Sequence, residues 1–260
     1  MAARPNVSIG AVYGNFQYCI WDGGRIFPNF NFASFEDIVE IKDYFNKKNI
    51  PIRLVFTNPM IDKEEQLKDR FCNLTARLCE SKLNEIVVNS PLLENYLREY
   101  YPKYNFISST TKCSNWEEAL KEIDSDKYKY VCLDYNSNRL INKLFNLTQD
   151  QKDKVEFLCN AICPPGCPNR KEHYRLNGLY YLNYMKPYSI ECSIKTDTIH
   201  PNTMAYKNNL SPEDIEKYSN KGFSMFKLEG RTLSDKEVAL NLARYLFKPE
   251  WQYTYLNEMF

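Results

Sequence analysis

The chain is short of glycine, histidine and net charge. Of its 260 residues only eight are glycine and two are histidine, and its charges nearly cancel at +1. Such a balance excludes a surface that attracts nucleic acid or membrane as a whole, although a local basic groove stays open. No apolar run is long enough to span a bilayer, so no membrane partner is expected. The opening stretch, MAARPNVSIGAVYG, carries no basic-plus-apolar leader of secretory type. The expected compartment is therefore the cytoplasm, where thiols stay reduced. Neither HExxH nor GxSxG occurs, and with two histidines an ordinary zinc hydrolase is poorly supplied with ligands. No GxGxxG follows the first apolar run, which counts against an open dinucleotide-binding sheet.

Apolar and aromatic residues are plentiful. The apolar fraction is 43%, with 20 Tyr and 15 Phe, which is enough for a substantial core. No linker, repeat or low-complexity tract divides the chain, so residues 1–260 are expected to form a single domain. Nine cysteines, an odd number, do not make a disulfide framework in a reducing compartment. Cys72 and Cys79 in a helical pattern, Cys113 in a loop and Cys132 in a strand read as core filler or incidental thiols.

Eight strand-like segments alternate with helical ones. They are Ser8–Gly14, Ile52–Asn58, Glu85–Ser90, Asn105–Lys112, Tyr128–Asn136, Val155–Asn160, Tyr188–Ser193 and Phe223–Arg231. Helices are expected to start at Ser34, Ser90-Pro91, Ser114, Ser211 and Ser234, each with a capping residue in place. A long helix is expected over residues 63–80, and the aromatic C-terminal tail WQYTYLNEMF should pack on the exterior or on a partner. Strands alternating with helices in this number and length predict an α/β fold, a single (β/α)8 TIM-type barrel.

In such a barrel the working residues lie where the strands end. Here the amides, hydroxyls and charges begin directly after the apolar runs: Asn58, Asn89, Lys112, Asp134, Asn136, Asn160, Glu229 and Arg231. These could hydrogen-bond a small polar ligand. Solvated loops account for about half of them, and an ion pair closing the barrel accounts as well for Glu229 and Arg231. After the sixth strand, Pro164, Pro165 and Gly166 form a stiff turn between Cys163 and Cys167. Two thiols on such a turn are a grip for a soft metal, or simply two reduced cysteines in a loop. Cys19, after the first strand, and Cys192, ending the seventh, would share their rim and supply four thiolates, with Cys159 as rival to Cys19. His173 follows the turn closely enough to act as ligand or proton donor, whereas His200 reads as a surface residue.

The motifs FKLEGR at Phe226–Arg231 and CPPGCPNRKEHY at Cys163–Tyr174 resemble signatures of the peptidase U32 family. WDGGR at Trp21–Arg25, VVNSPLLENYL at Val87–Leu97 and ISSTTK at Ile107–Lys112 extend the resemblance to a small single-barrel branch. The resemblance implies a TIM-type barrel. U32-like proteins also include oxygen-independent hydroxylases of quinone precursors or RNA bases that use a four-cysteine iron–sulfur cluster. It thus implies a [4Fe–4S] cluster on Cys19, Cys163, Cys167 and Cys192, with zinc as the alternative. Asp134, Lys112 and His173 would do the chemistry, and Asn58, Asn89, Asn136, Glu229 and Arg231 would hold the substrate. A small molecule or RNA base, and an electron donor, are the partners of that reading; a homo- or hetero-oligomer stays open. The alternatives are a U32-type peptidase or hydrolase, for which no motif stands in the chain, and a non-enzymatic zinc-stabilised binding barrel.

Overall fold

Short runs buried on both faces set the strands. IRLVF at Ile52–Phe56 and EIVV at Glu85–Val88 are buried at every position, the pattern of parallel strands covered on both sides. The computed structural model describes residues 4–24, 26, 33–183, 206–231 and 233–259. Its strands are β1 (Val12–Gly14), β2 (Ile52–Phe56), β3 (Glu85–Val88), β4 (Asn105–Ser108), β5 (Tyr130–Cys132), β6 (Val155–Leu158) and β7 (Met225–Lys227). The helices are α1 (Phe35–Asn46), α2 (Arg70–Leu78), α3 (Pro91–Tyr100), α4 (Trp116–Ile123), α5 (Ile141–Phe145), α6 (Gln149–Lys154), α7 (Arg170–Tyr181), α8 (Pro212–Ser219), α9 (Asp235–Leu246) and α10 (Pro249–Met259). Among them, none is long and apolar enough to cross a membrane.

All seven strands are parallel and lie in chain order, β1 to β7. The expected closed ring of eight is thereby corrected to a seven-stranded sheet among the described residues. The segment expected as a seventh strand, Tyr188–Ser193, lies outside them. No strand stands between its expected neighbours, because Val155–Leu158 and Met225–Lys227 pair directly, Phe157 against Phe226.

The sheet is strongly curled. Arg53 of β2 bonds Glu156 of β6, four strands away in the sheet order. In a flat sheet that separation is about 19 Å, beyond the summed reach of the two side chains, so these residues meet only across the inside of a trough. The edges approach one another as well. The Tyr13 hydroxyl of β1 donates to the Leu228 carbonyl just after β7, and the Lys227 ammonium lies 4.0 Å from the centre of the Tyr13 ring. No backbone pairing joins β1 to β7 among the described residues, so side chains close this seam.

Alternation sorts the two faces. Leu54, Phe56, Ile86, Val88, Val131 and Phe157 face the helices in the main core. Val55, Val87 and Ile107 face inward with Tyr13 and Tyr130. One layer nearer the strands' N-terminal ends, Arg53 is clamped between Glu85 and Glu156, all with side chains at most 3% exposed. Lys129 adds a second cation 2.7 Å from Glu85.

The caps at Ser34, Ser211 and Ser234 form as expected, each a capping box, and Ser90 caps α3 with Pro91 in its first turn. Two boundaries differ. The stretch expected as one helix over 63–80 splits at Asp69, which leaves the preceding short 3-10 turn and caps α2 through the Cys72 N–H. The fourth helix begins one residue late, because Asn115 rather than Ser114 caps it, and Ser114 bonds Glu118 instead. The aromatic tail is helix α10, stacked back through Tyr255 on Phe247 at 4.4 Å.

Breaking the inner clamp should be costly. Arg53→Met leaves two buried carboxylates without their guanidinium and is expected to cost about 3–5 kcal/mol, read as a lowered urea midpoint. A loss below about 1 kcal/mol would mean that Arg53 does not bridge the two strands in solution.

Candidate functional site

The C-terminal ends of the strands are covered by α7. Arg170, at the start of the helix, pairs with Asp134 just after β5. Eight residues later, about 12 Å along the helix, Gly178 accepts through its carbonyl from Asn58 Nδ2 at 3.1 Å, just beyond β2. Asn177 donates to the Gly24 carbonyl in the loop after β1. The helix thus crosses the mouth from the β5 side to the β1 and β2 side.

Glycine makes this close packing feasible. A Cβ on Gly23 would stand 2.4 Å from the Thr57 carbonyl oxygen, and one on Gly178 would stand 2.4 Å from Asn58 Oδ1. Both contacts are shorter than real side chains tolerate, so the end of β2 is held between two glycine-lined surfaces. Asn58 serves this clamp: it donates to the Ile20 and Gly178 carbonyls and accepts from the Met60 N–H. Its amide is spent on the protein.

Two arginine–aspartate pairs flank the mouth. On the β1–β7 side, Arg231 Nη1 donates to Asp22 Oδ1 at 3.0 Å and to the Gly23 carbonyl at 2.8 Å. The segments WDGGR and FKLEGR, more than 200 residues apart, therefore meet here. Burial pushes the Asp22 carboxyl up to about 6, against the opposing pull of Arg231 and of the Gly23 N–H. Glu229 instead accepts from the Ile162 N–H at 3.0 Å, while its backbone is fixed on both sides by Asn160.

On the β5 side, Asp134 accepts from Arg170 and from the Asn136 N–H. The Arg170 guanidinium lies 4.5 Å from the centre of the Tyr135 ring and 5.3 Å from that of Tyr174. Burial works against its charge, but Tyr174 and Asp134 outweigh it and hold the group protonated. Its Nη2 is buried and has no hydrogen-bond partner among the described residues. Asn136 accepts from the Gly166 N–H and from Asn208, tying the cysteine turn to β5, and the Tyr135 hydroxyl donates to the Pro164 carbonyl at 3.0 Å. Asn89 donates to Thr111 at 2.6 Å.

Lys112 is not at the mouth. Ser108 turns outward by alternation, and Lys112, four residues on, lies among Glu94 at 2.8 Å, Glu122 at 3.3 Å and the Tyr128 hydroxyl, on the helical side of the sheet. There it completes a charged network between α3 and α4. His173 is half-buried in the first turn of α7, and His200 lies outside the described residues.

The cysteines are dispersed. Cys163 and Cys167 are both half-buried on the turn after β6, with the Cys167 N–H bonded to the Pro164 carbonyl. Cys163 packs on Tyr135, Leu158 and Ala161. Cys19 belongs to the main core instead, fully buried, its sulfur 2.9 Å from that of Cys72 in α2. Cys159 is fully buried in the same core, and Cys192 lies outside the described residues. Among those residues no three His, Cys, Asp or Glu side chains are placed to hold a metal ion. The turn therefore offers two of four thiolates, and neither Cys19 nor Cys159 adds a third; the described donors do not fit a four-cysteine cluster. Cys132 points inside the trough, where burial and Glu156 push its thiol up to about 12.

Sequence reasoning did not single out Asp22, Arg170, Tyr135 or Asn177 as site residues. WDGG was the available signal for the first: consecutive glycines beside a lone acid mark a close approach of backbone to backbone. Arg170 was visible beside the cysteine turn, but a helix crossing the mouth was not.

The raised Asp22 carboxyl makes stability depend on pH. A carboxyl that binds its proton more tightly folded than unfolded contributes most below pH 3.8 and loses that contribution as pH rises to about 6. The rise from 3.8 to about 6 corresponds to about 3 kcal/mol. Urea unfolding of the native protein and of Asp22→Asn should thus differ by an amount that changes by about 2 kcal/mol between pH 4 and 7, against the native protein at the higher pH. A pH-independent difference would place Asp22 in water.

No family model matches this chain, and no curated protein does. A search of solved structures finds the structure of the U32 peptidase Mk0906, at a TM-score of 0.48 and 11% identity over 88% of this chain and 90% of that one.

Proposed function

We propose that the chain is an enzyme acting on a small, polar, anionic molecule at the mouth beneath α7. The observation that carries this reading is Arg170. A buried guanidinium with one NH2 group unpartnered among the described residues is costly unless something else receives it. Asp134 neutralises and orients Arg170, while Tyr135 and Tyr174 present aromatic faces beside it. A phosphate or carboxylate is the acceptor an arginine fork suits, and a flat ring could rest on the tyrosines. A nucleotide-like substrate combines both features. Asn136 and Asn89 border the site, and Asn58, Glu229 and Arg231 hold its frame rather than the ligand.

The redox form of this reading adds a soft metal on the Cys163–Cys167 turn, with His173 as a proton donor and an electron donor as further partner. When bound, a cluster there would supply one-electron chemistry. The described thiols supply only two of its ligands. The peptidase alternative has no observation behind it beyond the resemblance.

Two measurements test the reading. Calorimetric titration with inorganic phosphate and with nucleoside monophosphates should show binding that Arg170→Gln weakens at least tenfold, about 1.4 kcal/mol, with the circular dichroism unchanged. Equal binding by the variant would remove Arg170 from the site. Separately, iron, sulfide and zinc are measured on protein purified without oxygen. Metal that co-purifies should fall with Cys163→Ser and Cys167→Ser and persist with Cys19→Ser and Cys159→Ser. Iron with sulfide supports the redox form; zinc alone, with unfolding on its removal and no turnover, supports a binding barrel.

A further inference from the structure

Cys19 and Cys72 stand 53 residues apart in the sequence, yet their sulfurs are 2.9 Å apart in the core. Two independent restraints bring them together. Asp69 caps α2 through the Cys72 N–H at 2.8 Å, which fixes Cys72 in the helix's first turn. The loop after β1 is held by the Trp21 indole, which donates to the Gln66 carbonyl at 2.9 Å. The loop and the entry to α2 are thus anchored on either side of the thiol pair.

We propose that Cys19 and Cys72 form an oxidation site, closing to a disulfide that joins the loop carrying Asp22 to α2. The oxidant is a hydroperoxide. One thiolate attacks the peroxide oxygen, giving a sulfenic acid and releasing water or an alcohol. The second thiol displaces the sulfenic oxygen as water, forming the S–S bond. Two thiols are oxidised by two electrons and one peroxide bond is reduced.

Both thiols are buried, and burial raises that of Cys72, so the reaction follows a local opening. The loop provides one. Cys19 closes a turn whose N–H reaches the Phe16 carbonyl at only 3.4 Å, and the preceding Tyr18 is 55% exposed with a left-handed φ of 70°. Such a residue stores strain that opening releases. The site lies in the core beside α2, separate from the Cys163–Cys167 turn, and it does not depend on the proposed activity.

The test uses the native, reduced chain. It is treated with hydrogen peroxide, quenched, alkylated in denaturant and digested without reductant. The expected result is a Cys19–Cys72 crosslinked peptide, the loss of two titratable thiols, and recovery of both on reduction; Cys72→Ala should abolish the crosslink. Recovery of Cys19 and Cys72 as alkylated monomers after Cys163 and Cys167 have been consumed would overturn the proposal. So would a crosslink from either residue to a different thiol, or over-oxidation of Cys19 without a crosslink.

Discussion

Arg53 is the residue on which the shape of this chain depends. Its guanidinium joins Glu85 on the neighbouring strand to Glu156 four strands away. Removing three charges from water is expensive, and only close mutual pairing offsets that cost. Burial disfavours the ionised form of Glu156, yet Arg53 and Lys227 keep its carboxyl below its ordinary value. Opening the trough would separate these charges in a dry interior, so the cluster resists flattening of the sheet as well as unfolding. Apolar residues filling the same space would give more stability but no such directional constraint.

Curvature, in turn, creates the mouth. Once β1 and β7 are brought within side-chain reach, Asp22 and Arg231 can pair across a seam that no backbone hydrogen bonds close among the described residues. The same curl places the ends of β5 and β2 at a separation that one short helix can cross. Arg170 fastens one end of α7 and Asn177 with Gly178 the other. Polar anchors, an ion pair at one end and amide hydrogen bonds at the other, are expected where the covering element has little apolar surface to bury; the buried residues of α7 are Asn177, Gly178 and Tyr181.

Local chemistry was the legible part of the sequence. Serine caps and their acidic partners require only four consecutive residues, so Ser34, Ser211 and Ser234 could be read directly. The parallel α/β class followed from alternation of elements, which is also local. The strand count was not, since a run such as YSIECS shows β-propensity without showing a neighbour, and β6 already has β7 as its partner. Lys112 failed for a related reason. Its position after β4 suggested the mouth, but three carboxylate or phenol groups on the helical side offered the better environment, and all three come from other parts of the chain, α3, α4 and the approach to β5.

The cysteines show how alternation can outrank spacing. Four thiols spread along a chain can be drawn into one cluster on paper, because sequence distance sets no direction. Direction comes from the strand. Val155, Phe157 and Cys159 share a parity, and since Phe157 faces the helices, so does Cys159. Cys132 pairs across the sheet with Glu156, so it faces the inner charges. Both assignments follow once one neighbour's face is known, and both keep the thiols away from the Cys163–Cys167 turn. Cys19 has no strand to orient it, and its direction is decided by Cys72 and by Trp21, whose ring packs edge-on against Phe56 at 5.2 Å. A tryptophan that large, wholly buried, draws its short loop inward with it. The same inward pull that hides Cys19 seats Asp22 against Arg231, so the placement that denies the turn a third thiol is what completes the opposite side of the mouth.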